Sequence, residues 1–143
     1  MDRTGKGDSF ICMYGCNPNR DVDCYWDYEL LADLKTAVNR PKVFIFIDHC
    51  HSGGFLDELK NVPNVACFTT CSAKGYGYDF SPKQNGAWTY TFLEKGLIEQ
   101  FGGDAPIDKV FDWASSNYKL ITGDKSVNDL PQKINNISND FRL

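Results

Sequence analysis

Cys50 closes the run Val43-Phe44-Ile45-Phe46-Ile47-Asp48-His49-Cys50, and His51-Ser52-Gly53-Gly54 follows it directly. A thiol is the one side chain here that is already nucleophilic near neutral pH. Two imidazoles flank it, an acid stands two positions before it, and a Ser-Gly-Gly turn comes after. That set matches the needs of acyl transfer: a sulfur nucleophile, a group to move protons, and backbone N–H groups to hold an oxyanion. A plainer reading applies to the same residues. A cysteine at the end of an apolar strand also serves as a small core residue, and strands commonly end in glycine turns.

The elements around this block must position it. Five consecutive Val, Ile and Phe residues read as a strand, 43–48, buried on both faces. Its carboxyl end is where open α/β sheets place their chemistry. Residues 65–70 read as a second buried strand. Asp27 is placed to cap a helix over 28–38, with Leu30, Leu31, Leu34 and Val38 at helical spacing and Pro41 to stop it. Residues 87–101 read as a helix closed by Gly102-Gly103. Residues 107–120 read as another, with Val110, Phe111, Ala114 and Tyr118 on one face. Residues 8–14 suit a strand or hairpin arm, 15–21 are dense in turn formers, and 1–7 and 74–85 read as loops, the latter exposed. The stretch 55–60 is short and ambiguous. The tail carries a short edge strand. Strands alternating with helices imply an α/β fold with a parallel sheet covered on both sides. The length suits one domain over 1–143, with no internal repeat and no linker.

Asp48-His49-Cys50-His51-Ser52-Gly53-Gly54 resembles the nucleophile block of the caspase-like cysteine peptidases, a group that includes caspases, metacaspases, legumains and gingipains. The form Asp-x-Cys-His-Ser-Gly is most similar to metacaspases and their prokaryotic relatives. Cys67-Phe68-Thr69-Thr70-Cys71-Ser72-Ala73 resembles the family's next strand, and Gly86-Ala87-Trp88-Thr89-Tyr90-Thr91-Phe92-Leu93 the helix after it. Pro131-Gln132 and Asp140-Phe141-Arg142-Leu143 resemble its last strand. The resemblance implies a three-layer α/β/α sandwich with a mostly parallel central sheet, of which this chain is the carboxyl-terminal portion with the amino-terminal strands missing.

It also implies roles. Cys50 is the nucleophile, and its own N–H, with Gly53 nearby, helps form the oxyanion hole. Asp48 forms the floor of the pocket for the residue preceding the cut, which favours Arg or Lys there by charge pairing. Cys71, Ser72 and Ala73 line the pocket wall. Asp79 adds a second acid in that pocket, or else is a solvated loop charge. In metacaspases a calcium-binding acid stands where this chain has Asp57, with paired acids where it has Asp27-Tyr28. One of that pair is lost, and a hard cation wants about six or more oxygens.

A catalytic histidine is not evident. The chain holds two histidines, both sequence neighbours of Cys50. The family carries its base in a His-Gly block on the preceding central strand, about 50 residues upstream by the caspase rule. Two registers are open. In one, the segment from Asp2 to Cys12 corresponds to the stretch just after His-Gly, and the histidine strand lies before Met1. In the other, Phe10-Ile11-Cys12-Met13-Tyr14-Gly15-Cys16 is itself that strand, with Cys16 in the histidine's place. Without a base, acid–base assistance of ~10²–10⁴-fold is lost. His51 is a poor substitute, because adjacent side chains do not readily face each other across a scissile carbonyl.

Composition narrows the remaining classes. Net charge is −4 with no basic block, which argues against nucleic acid or an anionic membrane as partner. No apolar stretch approaches the ~18 residues of a membrane span, and the N-terminus lacks a signal-peptide core. Six cysteines without secretory context read as reduced thiols in a cytoplasmic protein. Cys12, Cys16 and Cys24 are separated by three and seven residues, unlike the short paired spacing of zinc sites. No Cys-x-x-Cys supports a redox protein. No cofactor or metal is called for. The expected partner is a peptide or protein substrate. The rival reading is a non-catalytic module that forms a homodimer or swaps strands through an exposed sheet edge.

Overall fold

The computed structural model describes residues 9–17, 22–36 and 41–143. The fold is mixed α/β. It opens with a hairpin of β1 (Phe10–Asn17) and β2 (Val22–Trp26), paired antiparallel with Phe10 opposite Trp26 and Cys12 opposite Cys24. The Phe10 and Trp26 rings meet at 4.7 Å. Helix α1 (Asp27–Thr36) follows at once. Two carboxylates fix its start. Glu29 reaches back to accept the Trp26 N–H at 2.8 Å, the reciprocal half of a capping box. Asp27 accepts the Ser9 N–H at 2.7 Å and ties the hairpin to the helix.

The central sheet runs in the order β3 (Val43–Ile47), β4 (Val65–Thr69), β7 (Gln132–Asn135). Residue period two sorts its side chains. Phe44, Phe46, Ala66 and Phe68 enter one apolar cluster with Trp88, Phe92, Phe111 and Tyr118. Val43, Ile45, Ile47, Val65 and Cys67 enter a second, with Leu34 of α1 and Phe55 and Leu59 of α2 (Phe55–Leu59). All five residues of β4 are buried, as a strand covered on both faces requires. Each large apolar side chain fully removed from water contributes roughly 1.5–3 kcal/mol. The Phe44, Phe68, Phe92 and Trp88 rings therefore hold the sheet to the helices beyond it.

Those helices begin with α3 (Ala87–Thr89), which widens into a π-helix over Tyr90–Gln100. The wide turn shows where the Phe101 N–H donates to Gly96 O, five residues back, at 3.1 Å. Gly102 and Gly103, with φ of 65° and 80°, end it in the left-handed region that suits glycine. Helix α4 (Ile107–Thr122) buries Val110, Phe111, Ala114 and Tyr118, the face expected from spacing. Gly96 lets the π-helix and α4 approach: a Cβ there would stand 3.1 Å from a Val110 methyl. A small ladder of β5 (Asp79–Phe80) and β6 (Asn85–Gly86) precedes α3.

Several expectations need correction. The described sheet is mixed rather than mostly parallel: β3 and β4 run parallel, while β7 pairs antiparallel with β4. Pro131-Gln132 leads into a strand, but the closing Asp140–Leu143 forms none. The Phe141 carbonyl instead accepts the Ile107 N–H at 2.9 Å and stops the chain against α4. The stretch 74–85 is not a wholly exposed loop, since Gly75 is buried and β5–β6 lies within it. Strand β2 falls on residues to which no element was assigned, and β1 runs on to Asn17 through residues that read as turn formers. Strand β1 pairs with β2 and not with β3 among the described residues, which goes against the register that makes it the histidine strand. The expected loop at 1–7, turn positions 18–21 and the end of the first helix at Val38 lie outside the described residues.

Candidate active site

Strand β3 delivers Asp48, His49 and Cys50 to its carboxyl end, and the chain then reverses. His51 takes a left-handed conformation, φ 62°, followed by a tight 3-10 turn, Ser52–Gly54, that leads into α2. A non-glycine residue held at positive φ is uncommon and concentrates at functional sites. Glycine at 53 is required by space. A Cβ there would lie 2.6 Å from the Cys71 carbonyl oxygen, so the turn sits directly on the segment after β4. Cys50 is exposed at the tip of this reversal, and its Sγ donates to the Gly77 carbonyl at 3.8 Å.

Neither histidine is positioned as its base. His49 Nδ1 is 2.6 Å from the Cys50 carbonyl oxygen, which accepts from it. Its Nε2 is buried without a partner, and the ring stands edge-on to Phe55. His51 Nδ1 donates to the Ala73 carbonyl at 3.2 Å, and its ring lies 5.4 Å from Tyr76. Among the described residues no hydrogen bond joins the Cys50 sulfur to either ring.

Asp48 is half-buried, and one carboxylate oxygen accepts both the Thr89 N–H at 2.8 Å and the Thr89 hydroxyl at 2.7 Å. It thereby caps α3 from another element, since no side chain local to that helix does so. A Cβ on Gly86 would come within 2.1 Å of that same oxygen. Glycine is therefore the residue that lets β6 pass the acid. Asp79 is exposed and stands opposite Gly86 in the β5–β6 register, so the two acids flank one glycine. Beside them opens a hollow of about 420 Å³, lined by Asp79, Phe80, Ser81, Gln84, Asn85 and Gly86.

The expected wall residues divide by role. Cys71 is buried, and its Sγ donates to the His49 carbonyl at 3.6 Å and lies 3.6 Å from the Ser52 hydroxyl. Burial pushes its thiol up, against hydrogen bonds with Ser52 that pull it down. Ser72 donates its N–H to the Asn128 carbonyl at 2.8 Å. Ala73 is exposed and reaches the site through its carbonyl on His51. Gly53 is buried against the Cys71-Ser72 backbone. Asp57 is exposed on α2, and no group of three or more His, Cys, Asp or Glu side chains that could hold a metal occurs among the described residues.

Five neighbours of the site are not apparent from motif reading. Thr89 holds Asp48, and Gly77 receives the thiol. Tyr78 donates its hydroxyl to Asp129 at 2.9 Å, and the Tyr76 N–H donates to the other Asp129 oxygen at 2.8 Å. The Tyr76 N–H, then burial opposing it and the Tyr78 hydroxyl, leave the Asp129 carboxyl below its usual range, while the same bond pushes the Tyr78 phenol up. The signal for this group is the alternation Gly75-Tyr76-Gly77-Tyr78, two glycines spaced to bring backbone close to a partner. Its partner lies too far along the chain to be paired by inspection. No protein-family model matches this chain, and comparison with curated proteins and with solved structures gives no match.

Proposed function

We propose that this chain is a caspase-like cysteine endopeptidase domain that cleaves after Arg or Lys, with Cys50 as nucleophile. The observation that carries the reading is the convergence at one strand end. An exposed Cys50 stands after β3, with the acid Asp48 beside the hollow at Gly86. Apolar clusters with helices on both faces of the sheet are consistent with a three-layer caspase-like sandwich. In the proposed reaction the Cys50 sulfur bonds to the scissile carbonyl carbon, and the carbonyl electrons move to oxygen as an oxyanion. A histidine supplied from outside these residues takes the thiol proton and returns it to the departing amine as the C–N bond breaks. Water then hydrolyses the thioester. Asp48 pairs its unshared oxygen with the cationic side chain preceding the cut. Cys50, Cys67 and Cys71 are free thiols, which suits a reducing, cytoplasmic setting.

Intact mass after incubation with a peptidyl-arginine label that alkylates active-site cysteines tests this. A single adduct, preferred over a peptidyl-aspartate label and lost in Cys50→Ala, supports it. No selective adduct, with Cys50 still open to a small alkylator, overturns it for this chain.

The second reading, a non-catalytic module that self-associates, has its own observation. Val43 N–H and Ile47 C=O face β4, so the backbone groups of Phe44 and Phe46 point to the other edge of β3. No described strand pairs there. Such an edge invites a further strand. Sedimentation should then show a dimer that Phe46→Pro, which removes an outward N–H, converts to monomer. A monomer at every concentration rejects that reading.

A further inference from the structure

We propose that Asp129 is a positioning residue for Cys50: its carboxylate latches the loop 75–78 against the nucleophile turn and so sets access to the thiol. The inference rests on the reading of Cys50 as the nucleophile. Asp129 lies on a short 3-10 turn, Val127–Asp129, and is 7% exposed. One of its oxygens takes the Tyr76 N–H at 2.8 Å and the other the Tyr78 hydroxyl at 2.9 Å, and Ser126 also hydrogen-bonds to the carboxylate. Those donors bracket Gly77, the residue whose carbonyl accepts the Cys50 thiol. Gly77 is in close contact with the turn. A Cβ there would stand 3.0 Å from the His49 carbonyl carbon and 3.3 Å from the Cys50 nitrogen.

Independent contacts of the same segment serve the same end. A Cβ on Gly75 would fall 1.8 Å from the Asn128 carbonyl oxygen, so these backbones touch. The Asn128 carbonyl also takes the Ser72 N–H at 2.8 Å. Lys125 Nζ sits 4.0 Å from the centre of the Tyr78 ring. On the other side of the loop, the Gly75 carbonyl accepts the His51 N–H at 2.9 Å. The loop is thus held between the nucleophile turn and the segment 125–129. Among the described residues only Asp129 holds it by an ionised acceptor, the stronger kind of hydrogen bond. Replacing that carboxylate by an amide leaves one neutral oxygen for two donors, the Tyr76 N–H and the Tyr78 hydroxyl, and frees the loop to open locally.

The test is the second-order rate of alkylation by iodoacetamide at each cysteine of the full chain, read by peptide mass mapping. In Asp129→Asn, Cys50 should react faster by about threefold or more, while buried Cys67 and Cys71 stay unmodified. Tyr78→Phe should give a smaller rise, and the double variant no more than Asp129→Asn alone, since both act through one latch. An unchanged Cys50 rate in both variants overturns the proposal. So does a parallel rise at Cys67 and Cys71, which would mark general loosening. Should Asp129→Asn fail to fold, Tyr78→Phe, which removes a single hydroxyl, decides alone. Iodoacetamide needs no substrate pocket. Loss of the peptidyl-arginine adduct with a shifted iodoacetamide rate therefore overturns the peptidase reading and leaves the latch standing.

Discussion

The cap that Asp48 supplies can be separated from the recognition role proposed for it. One of its oxygens takes both Thr89 donors and caps α3 from outside, which is structural work. Removing such a cap costs about 1 kcal/mol. Asp48→Ala should lower the thermal midpoint accordingly. Asp48→Asn keeps an oxygen for Thr89 and should unfold near the wild-type temperature. If the carboxylate also recognises a cationic side chain, that same Asn variant should lose preference for the arginine label over the aspartate label. Equal preference before and after the change would leave Asp48 as a cap alone. The acid two positions before Cys50 was legible in the sequence, as was the cysteine. Thr89 was not, because it meets Asp48 from 41 residues away.

Elements with strong periodicity were legible, and their details followed from packing. Residues 87–101 read as a helix, and the structure widens it into a π-type helix from Tyr90 to Gln100. Gly96 stands against Val110 and Trp113 of α4. Gly96→Val overfills that contact and should destabilise the fold by about 1–3 kcal/mol, read from the denaturant midpoint. An unchanged midpoint would show that the helix has room to move away from α4. Strand β2 was missed because five residues, Val22–Trp26, with a helix cap immediately after them carry no turn signal of their own. Its pairing with β1 is what makes it a strand.

The whole molecule responds to alkali through groups its core has taken from water. Burial pushes the Cys67 thiol from 9.0 up to about 12. Burial, partly offset by the Thr70 hydrogen bond, takes the Tyr118 phenol from 10.0 to about 12. Both folded values are raised, so the stability tied to them is full below about pH 9. It is lost as pH climbs toward about 12, because the unfolded chain releases those protons first. The thermal midpoint should therefore fall as pH rises above about 9, and Cys67→Ala should flatten the first part of that fall. A midpoint constant to pH 11, well inside that window, would contradict the burial of both groups.

Local pattern alone determined the strand 43–47, though only Ile47 of it is buried rather than both faces throughout, its fully buried neighbour, the long amphipathic helix with Val110, Phe111, Ala114 and Tyr118 inward, and a cysteine beside an acid at a strand end. These follow from period, from runs of β-branched and aromatic residues, and from glycine turns, all read within a few positions. The tertiary structure decided the rest. The antiparallel entry of β7 depends on how the tail returns to β4. The silence of both histidines toward Cys50 depends on carbonyls at Cys50 and Ala73 that claim their ring nitrogens. The closing of the loop 75–78 depends on Asp129, more than fifty positions from its Tyr76 and Tyr78 partners. Contacts at that separation exist only once burial has brought distant segments together, and no spacing within the chain announces them.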